Sequence, residues 1–411
     1  MNYLEHEIEV LQNLLKIPSV LSKKKRNMPF GENNYKALNY LLDLGKEFGF
    51  ETYNDKNFAG HIDYGNGDKP FAVLCHLDVV PKGSGWTKPP FEGFIEDNKI
   101  YGRGALDNKG PVVAVLFALK KLKDEGFLPQ HTLRLILGCN EESGWKCMEH
   151  YSKSVPMPKT GFSPDSDFPV INVEKGVLHL KIEFKNTSKK LKRLNGGTRV
   201  NVVPDICSFE FDKKLYEYKG VSAHGSNPEK GGSAIFKAFK KINELEYNKT
   251  IDTINRFLVD NIDGKKLKIN FADNASGKLT LNFGTVELIR NKIICGVDIR
   301  FPITYTKEQV LEQLNVLNAK VEIQTYHKPL FVDKNSELII KLLSAYKKVT
   351  NLDGNCLSIG GATYARVLET GVAFGPLFPK DVSIIHEADE YISIEHLQKI
   401  TDIYYEALKL F

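Results

Sequence analysis

Side chains that could bind metal ions occur at five places in the chain, each after an apolar segment or a glycine-rich turn. They are His76 with Asp78, Asp107, Glu141 with Glu142, Asp165, and His386. Several carboxylates gathered at one edge of a sheet repel one another and lose hydration, at high cost, unless cations neutralise them. The sequence therefore predicts a metal centre formed by these groups.

The number and type of these groups predict two divalent ions that share a ligand. Such ions lie about 3.5 to 4 Å apart and need a bridging carboxylate, terminal ligands and an open position. We expect Asp107 to bridge, His76 and Asp165 to complete one ion, and Glu142 and His386 to complete the other. Zinc accepts this set of nitrogen and oxygen ligands, and manganese and cobalt are the alternatives because the same groups serve all three.

Two of the carboxylates are predicted to act without binding metal. Asp78 lies two residues along a strand from His76, so it can accept the other ring N–H of that imidazole and fix its tautomer. A metal ion lowers the pKa of its bound water to near 7, and Glu141 is predicted to take the proton of that water and pass it to the leaving amine. Neighbours on an extended chain point in opposite directions, so Glu141 and Glu142 can take different roles.

Each motif also has a simpler interpretation. His76 with Asp78 can be an ordinary surface pair, and Glu141 with Glu142 can compensate a helix dipole. His386 can be an exposed residue at a strand end. The metal prediction depends on the recurrence of all five clusters in an order that one sheet could gather.

The elements that position these groups are typical of an α/β protein. Residues 71–77 and 133–139 are short apolar segments that predict buried strands, and residues 112–123 have helical periodicity after Pro111. Strand, helix and strand in succession predict a βαβ unit in a mostly parallel sheet with helices on both faces. Ligands of such sheets bind beyond the carboxyl ends of the strands. The apolar residues 382–385 predict a further strand that ends at His386.

The pattern changes after residue 176. Residues 177–184 alternate apolar and polar side chains, as a half-exposed antiparallel strand does. We therefore predict an inserted α+β domain over residues 177–329, between two parts of a catalytic domain at residues 1–176 and 330–411.

Composition limits the partners and the compartment. The 411 residues carry 56 basic and 51 acidic side chains, a net charge of +5, which predicts neither a nucleic-acid nor a membrane partner. The six cysteines form no CxxC pair, which is typical of a reducing compartment. The first residues lack the features of a secretory signal, and no apolar run approaches the roughly 20 residues of a membrane span. We expect a cytoplasmic protein.

Ten motifs carry a family resemblance that covers nearly the whole chain. They are His76-Leu-Asp-Val-Val-Pro81, Gly85-Trp86, Pro89-Pro90-Phe91, Gly102-Arg-Gly-Ala-Leu-Asp-Asn-Lys-Gly-Pro111, Asn140-Glu-Glu-Ser-Gly144, Ser163-Pro-Asp165, Gly220-Val-Ser-Ala-His-Gly-Ser226, Asp298-Ile-Arg-Phe-Pro302, Gly360-Gly-Ala-Thr-Tyr-Ala-Arg366 and His386-Glu-Ala-Asp-Glu390. On these motifs the sequence resembles the M20 metallopeptidases, and most closely the PepV-type dipeptidases that act on unblocked dipeptides. The resemblance implies a zinc-peptidase-like catalytic domain and the same metal ligands and general base.

The resemblance also implies roles for residues of the insert, which in this family closes over the site as a lid. His224 would stabilise the oxyanion of the tetrahedral intermediate, and Asn201 and Arg300 would hold the substrate carboxylate. Loss of one oxyanion donor costs about 10²-fold or more in rate. The Gly361 backbone and Arg366 would make further substrate contacts.

This sequence departs from the family pattern at two places. Asn108 stands where a second Asp is common, and the segment between Asn201 and His224 is shorter than in full-length PepV-type enzymes. The shorter lid leaves both a monomer and a homodimer open.

Two other functions are weighed against the dipeptidase. An N-deacylase of the same superfamily, such as an aminoacylase or a succinyl-diaminopimelate desuccinylase, would use the same metal chemistry, although residues 86–91 and 360–366 favour the dipeptidase. A non-catalytic binding protein could use the basic residues 185–193, but no aromatic side chains interleave them as a nucleic-acid stacking surface requires. A binding protein would also have no need of Glu141.

Overall fold

The computed structural model describes residues 2–411, which form two compact units. The first unit extends to Asn172 and continues over Val332–Leu357 and Thr363–Phe411. The second comprises Val173–Phe331 and Ser358–Ala362. The short segment Ser358–Ala362 thus groups with the insert, although the sequence prediction placed it in the catalytic domain.

Nine α-helices and 23 strands lie within residues 2–411. The helices are α1 Tyr3–Leu15, α2 Glu32–Glu47, α3 Lys109–Asp124, α4 Lys146–Ser154, α5 Ala234–Leu245, α6 Lys249–Phe257, α7 Lys307–Gln313, α8 Glu337–Thr350 and α9 Ile394–Leu408. The strands are β1 Glu51–Asp55, β2 Ala59–Tyr64, β3 Phe71–His76, β4 Phe94–Glu96, β5 Lys99–Tyr101, β6 Leu133–Gly138, β7 Thr160–Ser163, β8 Ser166–Asp167, β9 Val170–Glu174, β10 Gly176–Lys185, β11 Leu191–Gly196, β12 Ile206–Phe211, β13 Lys214–Lys219, β14 Ala272–Asp273, β15 Gly277–Lys278, β16 Thr280–Ile289, β17 Lys292–Phe301, β18 Lys320–His327, β19 Leu330–Phe331, β20 Cys356–Ile359, β21 Thr370–Ala373, β22 Pro376–Leu377 and β23 Tyr391–Ser393.

The first unit is built on a mixed sheet that is parallel at its centre. Its strand order is β1-β2-β6-β3-β7-β21-β9, and the four central strands β6, β3, β7 and β21 run parallel to one another. The strands at each flank are antiparallel. Every side chain of β3 is buried, as expected for a strand covered on both faces. The predicted α/β fold class is confirmed.

Helix α3 contacts β3 and β6 on one side and packs against α9, and it is buried from Lys109 to Leu119. A helix that is apolar on all sides must be covered on all sides. Helix α1 contacts α3, and its Glu7 is only 4% exposed and accepts a hydrogen bond from Thr401 of α9. Burial raises the pKa of Glu7 to about 8, and the nearby Asp402 adds to the shift.

The second unit contains a seven-stranded antiparallel sheet in the order β13-β12-β11-β16-β17-β10-β18. Strand β10 pairs with β17 along ten residues, from Gly176 opposite Phe301 to Lys185 opposite Lys292. Alternate side chains of β10 enter a core that also contains residues of α5 and α6. The alternation predicted for residues 177–184 is therefore confirmed.

The predicted strand at residues 382–385 is wrong. These residues have no regular secondary structure, and the side chain of Val382 is 82% exposed. A turn follows in which Glu387 N–H donates to Ile384 O, and His386 has a positive φ of 66°. No helix within residues 2–411 has both the length and the apolar character needed to span a bilayer. The six cysteines are free thiols, and five of them are buried.

Candidate metal centre

Three parallel strands of the first unit end at the same edge of the sheet. His76, the last residue of β3, is level with Gly138, the last residue of β6. On the other side of β3, the Ser163 hydroxyl at the end of β7 donates to Leu74 O at 2.8 Å. The side chains that follow these strand ends therefore meet beyond the carboxyl edge, as an α/β sheet requires.

One cluster of possible ligands contains His76, Asp107 and Asp165. The His76 Nε2 atom lies 2.8 Å from Asp107 Oδ1 and 3.5 Å from Asp165 Oδ1. One donor atom from each residue lies within 4.8 Å of the other two. We call this set the His76 cluster.

A second cluster contains Asp107, Glu142 and His386. The His386 Nε2 atom lies 2.9 Å from Asp107 Oδ2 and 2.9 Å from Glu142 Oε1. We call this set the His386 cluster. Asp107 belongs to both clusters and directs a different oxygen to each imidazole, which is the arrangement that a bridging carboxylate requires.

The charges in these clusters perturb one another strongly. Burial raises the pKa of Glu142 to about 7 and that of Asp165 to about 6, and Asp107 adds to both shifts. Burial alone would lower the pKa of His386, but hydrogen bonds to Asp107 and Glu142 raise it to about 11. The pKa of Asp107 lies well below its ordinary value because the two imidazoles outweigh the effect of burial.

The donor set fits two divalent cations. Each cluster offers one imidazole and two carboxylates, and the carboxylates crowd a buried site in which negative charge is costly. Zinc, manganese and cobalt accept such nitrogen and oxygen ligands. The five predicted ligands His76, Asp107, Glu142, Asp165 and His386 are thus brought together at this edge of the sheet.

The role predicted for the Asp78 carboxylate is corrected by the structure. The His76 Nδ1 atom lies 2.9 Å from the backbone carbonyl of Asp78, whereas its distance to Asp78 Oδ1 is 3.7 Å, too long for a hydrogen bond. The carboxylate instead accepts the backbone N–H groups of Glu141 at 2.8 Å and Glu142 at 3.1 Å. Asp78 therefore anchors the backbone of the two glutamates, because their N–H groups lie closer to its carboxylate oxygens than the His76 ring nitrogen does.

The two adjacent glutamates have different surroundings. Glu142 belongs to the His386 cluster, whereas Glu141 belongs to neither cluster and its Oε1 accepts the indole N–H of Trp145 at 3.0 Å. Burial raises the pKa of Glu141 well above its ordinary value, and Asp165 adds to the shift. This separation is compatible with a ligand role for Glu142 and a base role for Glu141.

Asn108 supports the His76 cluster in a way that the sequence did not indicate. Its side-chain N–H₂ donates to Pro164 O at 2.6 Å, and its Oδ1 accepts the His76 backbone N–H at 3.4 Å. An aspartate at this position could not donate to the carbonyl of Pro164. The amide thus connects the strand end that carries His76 with the turn that carries Asp165.

The residues predicted to bind substrate divide between the units. Arg366 lies in a short 3₁₀-helix, Tyr364–Val367, of the first unit and is 4% exposed. His224, Asn201, Arg300 and Gly361 lie in the second unit.

Within the second unit, two of these side chains have well-defined partners. The Arg300 guanidinium forms a two-point ion pair with Asp298, at 2.7 and 2.9 Å, and donates to Gly360 O at 3.0 Å. The His224 Nδ1 atom lies 2.6 Å from Ser226 Oγ. Contact of these residues with substrate stays a prediction.

Comparison with known proteins identifies the family. Residues 72–410 match peptidase family M20/M25/M40. The chain belongs to this family. The expected M20 metallopeptidase is therefore confirmed, and the family implies divalent metal ions.

The chain is similar to several bacterial proteins along almost its whole length. It is 35% identical to "Putative dipeptidase YtjP" of Bacillus subtilis, over 98% of this chain and 96% of that protein. It is 32% identical to a "Putative dipeptidase" of Staphylococcus epidermidis, over 99% and 97%. The first alignment spans 448 positions, more than the 411 residues of this chain, so that relative has segments that this chain lacks.

Solved structures of low sequence identity share the fold. The M20 family metallo-carboxypeptidase Sso-CP2 of Sulfolobus solfataricus superposes with a TM-score of 0.67 at 19% identity, covering 100% of this chain and 99% of that chain. The dipeptidase Dug1p of Saccharomyces cerevisiae has a TM-score of 0.66 at 13% identity, covering 99% and 98%.

Proposed function

We propose that the protein is a dinuclear metal-dependent dipeptidase that hydrolyses short unblocked peptides, with Glu141 as the general base. The observation that supports this most strongly is the position of Asp107 in both clusters, with Glu141 next to a ligand but outside both. The names of the curated relatives support a dipeptide as the substrate.

The residues of the chain would divide the work as follows. His76, Asp107 and Asp165 would hold one ion, and Asp107, Glu142 and His386 the other. When bound, two divalent ions polarise the scissile carbonyl and make the attacking water more acidic. Glu141 would take a proton from that water and deliver it to the nitrogen of the leaving amine. Asp78 would keep Glu141 in place through the backbone N–H groups that it accepts.

The second unit would supply the remaining substrate contacts. We propose that His224 stabilises the oxyanion and that Asn201 and Arg300 bind the substrate carboxylate, with the Gly361 backbone and Arg366 as further contacts. Arg300 is already oriented by its ion pair with Asp298, so its side chain loses little conformational entropy when it binds an anion. We further propose zinc as the native metal and the cytoplasm as the compartment.

The test combines metal analysis with a substrate panel. We expect two divalent ions per chain, hydrolysis of unblocked dipeptides, slower or no hydrolysis of N-acyl amino acids, and loss of activity with a chelator that returns when Zn²⁺, Mn²⁺ or Co²⁺ is added. Faster hydrolysis of N-acyl amino acids would assign the chain to the deacylases instead. Activity that survives complete removal of metal would refute the mechanism.

A further inference from the structure

A fully buried ion pair lies next to the His76 cluster and the His386 cluster without belonging to either. Arg103 and Glu390 are 1% and 0% exposed at their side chains, and Arg103 Nη1 lies 2.6 Å from Glu390 Oε2. A buried pair of this kind contributes little net stability, because desolvation of the two charges offsets most of their attraction. Its hydrogen bonds to the surrounding backbone indicate another role.

The Glu390 carboxylate holds the loop that precedes the bridging ligand. It accepts the backbone N–H groups of Gly104 at 3.1 Å, Leu106 at 2.9 Å and Asp107 at 3.2 Å. These three N–H groups converge on one anion, so the backbone of Asp107 has little freedom to move.

The Arg103 guanidinium holds the segment that carries His386. Its Nη2 atom donates to His386 O at 3.2 Å and to Lys82 O at 3.1 Å. The guanidinium carbon lies over the Trp86 ring, 5.2 Å from the ring centroid. His386 lies in a segment without regular secondary structure and has a positive φ, so its position depends on contacts of this kind.

We propose that Arg103 and Glu390 form a positioning pair that sets the bridging carboxylate and the His386 imidazole at the separation that two metal ions require. The inference rests on the proposed dinuclear centre. Arg103 contacts the backbone of His386, a ligand of one ion only. Glu390 contacts the backbone of Asp107, which both ions share.

This arrangement predicts different metal binding for two conservative variants. Arg103→Lys keeps the charge, but one ammonium group cannot reproduce the planar fork that contacts Glu390, Lys82 and His386 together. We expect the affinity for the ion at the His386 cluster to fall about 10- to 100-fold, the usual effect of losing a residue that supports a ligand. The affinity for the ion at the His76 cluster should be nearly unchanged. Glu390→Gln removes the anion that holds the Asp107 loop, so we expect both affinities to fall at least about 10-fold.

The metal-free protein is titrated with Zn²⁺ in competition with a chromophoric chelator. The titration gives the two dissociation constants without any assay of activity. The melting temperature of the metal-free protein is measured in parallel. Arg134→Lys is the matched control, because Arg134 forms a two-point ion pair with Asp63 between β6 and β2. This control should lower the melting temperature and leave both dissociation constants within about twofold of the wild type.

Unchanged Zn²⁺ affinities in Arg103→Lys would overturn the proposal. The proposal would also be overturned if Arg103→Lys and the Arg134→Lys control weakened both Zn²⁺ affinities to the same extent. The ion pair would then affect metal binding only through the stability of the fold. If Arg103→Lys does not fold, Glu390→Gln carries the test, and full affinity in that variant is the contrary result. Binding of fewer than two ions by the wild type would instead refute the proposed function itself.

Discussion

Replacing Asp78 by asparagine tests whether its carboxylate positions Glu141, the proposed general base. The carboxylate accepts N–H groups from both Glu141 and Glu142, and an asparagine side chain has only one oxygen with which to do so. The variant therefore loses one charge-assisted hydrogen bond and turns an N–H₂ group toward a partly buried backbone N–H. Loss of such a bond costs roughly 1.5 to 3 kcal/mol. If the misplacement of Glu141 raises the activation free energy by this amount, the rate falls roughly 10- to 150-fold.

The assay is kcat for an unblocked dipeptide, measured over a series of metal concentrations up to saturation. We expect the deficit to persist at saturating metal, because the backbone carbonyl of Asp78, and not its carboxylate, accepts the His76 ring N–H. Asp55→Asn is the matched control, since Asp55 is a 1% exposed carboxylate that pairs with His150 outside the site. It should leave kcat within about twofold.

Two results would contradict this reasoning. If excess metal restores full activity to Asp78→Asn, the carboxylate acts through metal affinity and not through the placement of Glu141. If the variant has wild-type kcat at every metal concentration, its hydrogen bonds to the two glutamates do not position the base.

Glu141→Gln should lower kcat by about 10²- to 10⁴-fold with both ions still bound. Glu142→Gln should bind one ion fewer in metal analysis, because Glu142 belongs to the His386 cluster. Glu7 holds a proton in the folded state between its ordinary pKa of 4.5 and its raised value of about 8, so stability falls as the pH rises through that window. Glu7→Gln should therefore raise the melting temperature more at pH 9 than at pH 5. Gly138→Ala should destabilise the protein by about 1 to 3 kcal/mol in urea unfolding, because its Cβ would lie 2.6 Å from a ring carbon of Tyr364.

The chain offers matched controls for the Glu141, Glu142 and Gly138 variants. Glu149→Gln changes an exposed glutamate of α4 and should affect neither turnover nor metal content. Gly232→Ala places a Cβ no closer than 3.8 Å to its nearest neighbour and should cost less than Gly138→Ala. A melting-temperature gain for Glu7→Gln that is independent of pH would show that Glu7 is not protonated in the folded protein.

The grouping of the five proposed ligands could be predicted because residue type and order along the chain indicate their chemistry. His76 follows a run of buried apolar residues that is typical of a central parallel strand, and the carboxyl ends of such strands meet at one edge. His386 was predicted for a wrong reason, since the apolar residues 382–385 form no strand. Short apolar runs indicate burial only when the surrounding elements can cover them, and Val382 is exposed.

Residue types and their order along the chain were sufficient to predict an α/β fold with a metal centre of imidazoles and carboxylates, because strand burial and ligand chemistry are local properties. The metallopeptidase was predicted from the family resemblance of ten motifs. Tertiary structure determined which residues position the clustered side chains. The partner of the Asp78 carboxylate, the amide bridge of Asn108 and the pairing of Arg103 with Glu390 each join residues that are at least 32 positions apart. Such contacts depend on how the loops beyond the strands pack, and periodicity in the sequence carries no information about that packing.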